Sequence, residues 1–197
     1  MGGHKFDPKN RNKLHSEQRR KWLPPEELLQ AFGVKRGMTL LDVGCGNGFF
    51  TLPAGRLVGP EGHVYAADIS QVMLSDLQQR LADESVGNIT AILSKENEVP
   101  LPSATADLIW NSFIAHEIAH PLSFYREMNR LLKSDGRLVV IDWSKEAPDF
   151  DLGPPQDHRL TQEQVERQLG EAGFVPIERR QIAECRAFGL LLSKVQA

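Results

Sequence analysis

Sulfur and tyrosine are scarce in this chain: two cysteines and two tyrosines in 197 residues. Cys45 and Cys185 offer neither a disulfide framework nor the paired spacing of a zinc site, so no metal is expected. A chain that uses cysteine this sparingly fits a reducing, cytoplasmic setting. Excess charge of one sign is also missing. Lysine and arginine total 23 against 26 acids, a net charge of -3. Nothing overall then draws the protein to nucleic acid or to an anionic membrane. Long apolar runs are absent too, which excludes a membrane-spanning helix, and the polar start Met1-Gly2-Gly3-His4-Lys5 does not read as a secretory leader. No internal repeat or low-complexity tract interrupts the chain.

What is present is an ordinary globular composition, 41% hydrophobic and 25% charged, long enough to bury one full core. Charge is uneven only at the start. Lys5, Lys9, Arg11, Lys13, Arg19, Arg20 and Lys21 meet only Asp7 and Glu17. Residues 1–24 therefore read as a basic N-terminal arm: a solvated segment, a lid over an anionic substrate, or a nucleic-acid contact. Residues 25–197 read as a single domain.

Apolar runs alternate with helical patterns, the signature of a parallel sheet with helices on both faces. Strands are expected at Thr39–Val43, Val64–Asp68, Ile89–Leu93, Asp107–Asn111 and Arg137–Asp142. Helices are expected at Pro25–Phe32, Phe49–Val58 and Gln71–Ala82, the last with Met73, Leu74, Leu77 and Leu81 in one stripe. Pro121 opens another, through Leu132, as proline suits a first helical turn. Thr161 and Gln164 form a capping-box start for a helix that stops at Gly173. Val175–Gln181 and Arg186–Ser193 are joined too closely for a crossover helix, so they must be antiparallel.

The most informative stretch is Leu41-Asp42-Val43-Gly44-Cys45-Gly46-Asn47-Gly48. Glycine on alternate positions at the end of a strand brings bare backbone against a ligand. A dinucleotide site wants glycine where Phe49 stands, and that bulk argues against a diphosphate on the following helix. Twenty positions after Gly48, Asp68 ends the second strand and can accept hydrogen bonds from a ribose diol.

On these residues the chain resembles the class I S-adenosylmethionine-dependent methyltransferases. The likeness continues through Val99-Pro100-Leu101-Pro102, Asp107-Leu108-Ile109 and the run from Glu127 to Leu138, in the manner of the small-molecule branch that includes the quinone-biosynthesis enzymes. It implies an α/β, Rossmann-like doubly wound sheet of seven strands, the last antiparallel, with helices on both faces. It also implies S-adenosylmethionine as cofactor, with S-adenosylhomocysteine as product. Asp42, Gly44, Cys45, Gly46, Gly48, Asp68 and Ile69 match its cofactor site, and Ile69 would pack on the adenine. Lys95 stands where an acid commonly meets the adenine amino group, so Glu96 is its substitute. Asn111 would border the methionine portion.

The segment after the fourth strand, Asn111-Ser112-Phe113-Ile114-Ala115-His116-Glu117, should approach the acceptor. His116 is the candidate general base, titrating near neutrality, with Glu117 beside it; a hydrogen-bonded structural histidine is the alternative. His120, before Pro121, reads as a helix-entry residue. Trp143, Lys145, His158 and Arg159 in the long loop after the fifth strand are candidates to line the acceptor pocket, and Gly153-Pro154-Pro155 would stiffen it. His4, Phe6 and Trp22 of the arm could close over the opening. The place of an Asn-Pro-Pro-aromatic motif reads Asn111-Ser112-Phe113-Ile114, and neither cysteine follows a proline, which excludes two nucleobase chemistries. The expected activity is methyl transfer to a small molecule, with a homodimer possible. Two other readings stay open: an RNA or protein methyltransferase using the basic arm, and a cofactor-binding module without catalysis.

Overall fold

Seven strands form one sheet in a computed structural model, which describes residues 7, 9, 14–84, 86–148, 153–182 and 186–195. They are β1 (Thr39–Val43), β2 (His63–Asp68), β3 (Ile89–Leu93), β4 (Ala106–Ser112), β5 (Leu132–Trp143), β6 (Phe174–Ile182) and β7 (Ala187–Lys194). Their order is β3-β2-β1-β4-β5-β7-β6. The first five are parallel, and β7 runs antiparallel to both β5 and β6. β1 and β4 are buried along nearly their whole length, which is why they read as unbroken apolar runs.

Alternate residues of each strand feed two helical layers. On one face Leu41, Ile109 and Val140 pack with Phe124, Tyr125 and Met128 of α5 (Pro121–Leu131) and with Val165 and Leu169 of α6 (Gln162–Glu171). On the other, Leu40, Leu108 and Val139 meet Leu29 of α2 (Pro25–Ala31) and Ala54 and Val58 of α3 (Thr51–Val58). Leu74 and Leu77 of α4 (Gln71–Glu84) close over Ala66. Thr161 accepts from the Gln164 backbone N–H while the Gln164 side chain accepts from Thr161, the reciprocal cap its spacing predicts.

Four departures stand out. A short helix, α1 (Glu17–Trp22), capped by Ser16, occupies part of the segment read as an arm. Trp22 from it packs partly buried against the core on the α2 side rather than over the opening. β5 starts five residues early, at Leu132, with a register shift against β4. A single 3-10 turn, Ala115–Glu117, interrupts the segment after β4. β6 also shifts register at Pro176, which has no N–H to give the ladder. His4, Phe6 and Cys185 lie outside the described residues.

Candidate active site

Winding reverses between β1 and β4, so the carboxyl ends of the strands open a crevice there. A cleft of about 740 Å³ occupies it, toward the upper part of the range for small-molecule sites. One end is built by the loop after β1. Gly44 and Gly46 hold φ of +70° and +55°, a region glycine enters freely. A Cβ on Gly44 would stand 2.5 Å from the tip of the Ile114 side chain, which would have to shift to admit it. Gly44, Cys45 and Gly46 all face the cleft.

Asp68 ties this loop to the next. Its Oδ2 accepts the Gly46 N–H and its Oδ1 the Ser70 N–H, both at 2.8 Å. The Ile69 N–H also favours its charged form, and a carboxylate with about four acceptor positions keeps room for a ligand hydroxyl. Burial raises its carboxyl pKa, and the Ser70 and Gly46 N–H groups work against that. Asp42 is almost wholly buried, accepts the Thr51 hydroxyl at 2.6 Å, and still borders the cleft. Burial pushes it up to about 7, with Thr51 opposing and the nearby Asp68 adding. Beside Asp68, Ile69 presents an exposed apolar side chain to the cleft, a surface suited to a flat ring.

Other expected residues fall differently. Gly48 does not line the cleft: a Cβ there would meet Leu77 at 2.6 Å, so this glycine admits α4 rather than a ligand. Asn111 is also away from the cleft, wholly buried on the sheet face it shares with Ile109, and Ser112 and Phe113 reach the opening instead. The side chain of Lys95 turns out to Glu98, at 2.8 Å, and is 80% exposed. Glu96 borders the cleft and accepts the Ala119 N–H at 3.1 Å, linking the loops after β3 and β4.

The same cleft carries a dyad. His116 Nδ1 lies 2.8 Å from Oδ1 of Asp142, and the His116 backbone N–H donates to Oδ2 of the same carboxylate. Asp142 is fully buried at the end of β5 and also accepts the Trp143 N–H. An ionised carboxylate only accepts, so Nδ1 carries a proton, and in the neutral ring Nε2 keeps its lone pair. Glu117 Oε1 is 3.7 Å from Nε2, and both His116 and Glu117 line the cleft. Burial disfavours a charged ring at His116, but Asp142 and then Glu117 outweigh it, and the net shift is upward; Arg159 subtracts from it.

Around the dyad the wall is apolar. Phe113 and Trp143 stack with centroids 4.5 Å apart. Phe113 holds φ of +60°, unusual for an aromatic residue. Gly153, Pro154 and Pro155 line the same cleft. Of the residues expected from this loop, Trp143 lines the cleft. Lys145 and His158 are exposed and do not, and Arg159 is buried beneath the loop, donating to Pro154 and Ala147 carbonyls. His120 sits exposed at the entry to α5. Asp142, Phe113 and Arg19, which also borders the cleft, were not singled out from the sequence as site residues. An acid as the last residue of a strand that ends on the ligand edge is the signal that could have found Asp142.

Comparison with known proteins places these features in context. A family model described as a methyltransferase domain matches residues 34–179. Ubiquinone/menaquinone biosynthesis C-methyltransferase UbiE of Vibrio vulnificus is 38% identical over 120 residues, 60% of this chain and 45% of that protein. Its counterpart from Proteus mirabilis is 36% identical over 118 residues, 59% and 47% of the two chains. The chain thus spans less than half the length of these curated relatives. A crystal structure of an S-adenosylmethionine-dependent methyltransferase from Aquifex aeolicus superposes with a TM-score of 0.90 at 35% identity, covering 95% of this chain and 98% of that one.

Proposed function

The chain belongs to the methyltransferase-domain family, and on that footing we propose that it transfers a methyl group from S-adenosylmethionine to a small molecule, with His116 as general base. The observation that carries this reading is the His116–Asp142 dyad, whose histidine lines the same cleft as the glycine loop and Asp68. The residues fit the cofactor: Gly44, Cys45 and Gly46 bring backbone to the cleft, Asp68 offers acceptors suited to a diol, and Ile69 offers an apolar face. When bound, the sulfonium supplies a methyl group on a good leaving group, so alignment and exclusion of water carry most of the acceleration.

The chain's own groups supply the rest. Asp142 holds the His116 ring through Nδ1 and through the backbone, and stabilises the cation that forms when Nε2 takes the acceptor's proton. Phe113 and Trp143 form a dry wall for a flat, apolar acceptor part, and Gly153-Pro154-Pro155 limits its depth. Residues 25–197 would form the catalytic domain, and the segment before Pro25 would cover the cleft. No described helix is long and apolar enough to cross a membrane, and a cytoplasmic setting fits the sparing use of cysteine.

The test is an acceptor screen read by S-adenosylhomocysteine release, followed on any hit by His116→Ala. Loss of turnover with unchanged cofactor affinity supports the base; a variant as active as the parent removes it. Asp68→Ala should weaken S-adenosylhomocysteine by about 1–3 kcal/mol in calorimetry, since hydrogen bonds to a charged group are lost. Unchanged affinity counts against the assignment of the cofactor site.

A further inference from the structure

Strand pairing sets Asn111 of β4 beside Val140 of β5. Val140 faces α5, in one cluster with Phe124, Tyr125 and Met128. Partners in register point to the same side of a sheet, and so do residues two apart on one strand. Asn111 and Asp142 therefore share with Val140 the side that Tyr125 covers. Asn111, Tyr125 and Asp142 are all fully buried, and none of them lines the cleft.

Hydrogen bonding in this layer is incomplete. The carboxamide nitrogen and oxygen of Asn111 and the hydroxyl of Tyr125 have no partner among the described residues. Buried polar groups are rarely left so, and a small polar ligand is the usual reason. Burial, and then the charge of Asp142, holds the Tyr125 phenol far above its ordinary range, so it stays a neutral O–H donor within reach of that charge. Asp142 Oδ1 accepts the Trp143 N–H at 2.7 Å and His116 Nδ1 at 2.8 Å. Its Oδ2 accepts the His116 backbone N–H at 2.9 Å, with Nδ1 shared at 3.0 Å. Three donors thus meet a carboxylate that has about four acceptor positions, and the open one is on Oδ2.

We propose that the layer between β4, β5 and α5 binds an internal water on Oδ2 of Asp142, and that Tyr125 and Asn111 are positioning residues that hold it there. Water is small, uncharged and both donor and acceptor, which is what an amide, a phenol and a carboxylate can satisfy together. Its donated hydrogen offsets part of the carboxylate's field on the His116 ring. The other charges acting on that ring are Glu117, on its own turn, and Arg159, beneath the loop after β5. The bearing of the water on catalysis rests on the reading of His116 as base; the site itself does not.

The test is an NMR titration of isotope-labelled histidine in the full chain, with the His116 signal identified by its loss in His116→Ala. Tyr125→Phe and Asn111→Leu each keep the local shape and remove a holder of the water. Each should raise the His116 midpoint by about half a pH unit, since the ring then meets an unshielded carboxylate. The double variant should move it no further than either single one, because one water serves both residues. Midpoints that stay in place, or shifts that add, overturn the proposal. A crystal structure of the parent should show a water bonded to Asp142 Oδ2 and to Tyr125 or Asn111, and a dry layer overturns the proposal too. Parent-like turnover in His116→Ala is a separate failure: it removes the base and leaves the water site standing.

Discussion

His116 and Asp142 meet through two different bonds to one carboxylate: the ring Nδ1 reaches Oδ1 at 2.8 Å and the backbone N–H reaches Oδ2 at 2.9 Å. The first sets the tautomer, and the second fixes the 3-10 turn that carries the ring. A histidine held this way cannot swing to a second orientation without abandoning a buried charge.

That pairing predicts a pH profile. The His116 pKa is raised above the ordinary histidine value because Asp142 and Glu117 outweigh burial. A base must be neutral, so kcat/KM should rise through this raised value as pH increases. Asp142→Asn removes the main source of the rise. The acidic limb should then move to lower pH, while kcat falls roughly a hundredfold or more because the imidazolium loses its partner. The pair's contribution to stability is complete below the ordinary histidine value and fades as pH climbs through the raised one. A limb that stays where it was in Asp142→Asn assigns the titration to another group.

Asp42 likewise costs stability as pH rises, but in a more acidic window. Its folded pKa is pushed up to about 7 by burial, so the unfolded chain ionises first. Stability of the ligand-free protein should therefore fall from about pH 4 to pH 7 on account of this group, and level off above. Asp42→Asn keeps an acceptor for Thr51 without the charge. Its unfolding free energy should gain on the parent's between about pH 4 and pH 7, reaching an advantage on the order of a few kcal/mol at pH 8. A difference independent of pH would show that Asp42 is ionised throughout.

Arg159 bears on the acceptor wall without touching the cleft. Its Nε donates to the Pro154 carbonyl at 2.9 Å and one terminal nitrogen to Ala147 at 3.3 Å, from a fully buried position. Arg159→Met leaves those carbonyls without their charged donor, at a cost of about 1–3 kcal/mol. The wall at Gly153–Pro155 should loosen, so acceptor KM rises while S-adenosylhomocysteine affinity holds. Arg159 also lowers the His116 pKa, so the acidic limb should shift to higher pH, opposite to Asp142→Asn. A variant with both parameters unchanged would make Arg159 a strut for the outer loop alone.

The glycine loop and Asp68 were legible because each is a local event: a strand ends, the backbone turns through positive φ, and the next strand ends in an acid. His116 was legible for a similar reason, as the titratable residue after a strand that must end on the ligand edge. Asn111 misled because it immediately precedes that edge. Whether a strand's last residues face the cleft or a helical layer depends on which face they occupy, and Asn111 takes the face of Ile109. α1 escaped notice because Glu17–Trp22 has no apolar stripe; its basic residues read as a solvated arm until the Phe49 and Phe113 rings are brought to Arg19.

Pattern along the chain determined the alternation of strands and helices, the reversal at the end of the sheet, and the bare-backbone loop, since hydrophobic periodicity and glycine conformation act within a few residues. Tertiary structure alone decided who meets whom across the crevice. Asp142 reaches His116 only because β4 and β5 pair in the register that sets Ser112 beside Ile141. Residues brought together by strand pairing from 26 positions apart leave no trace in local spacing.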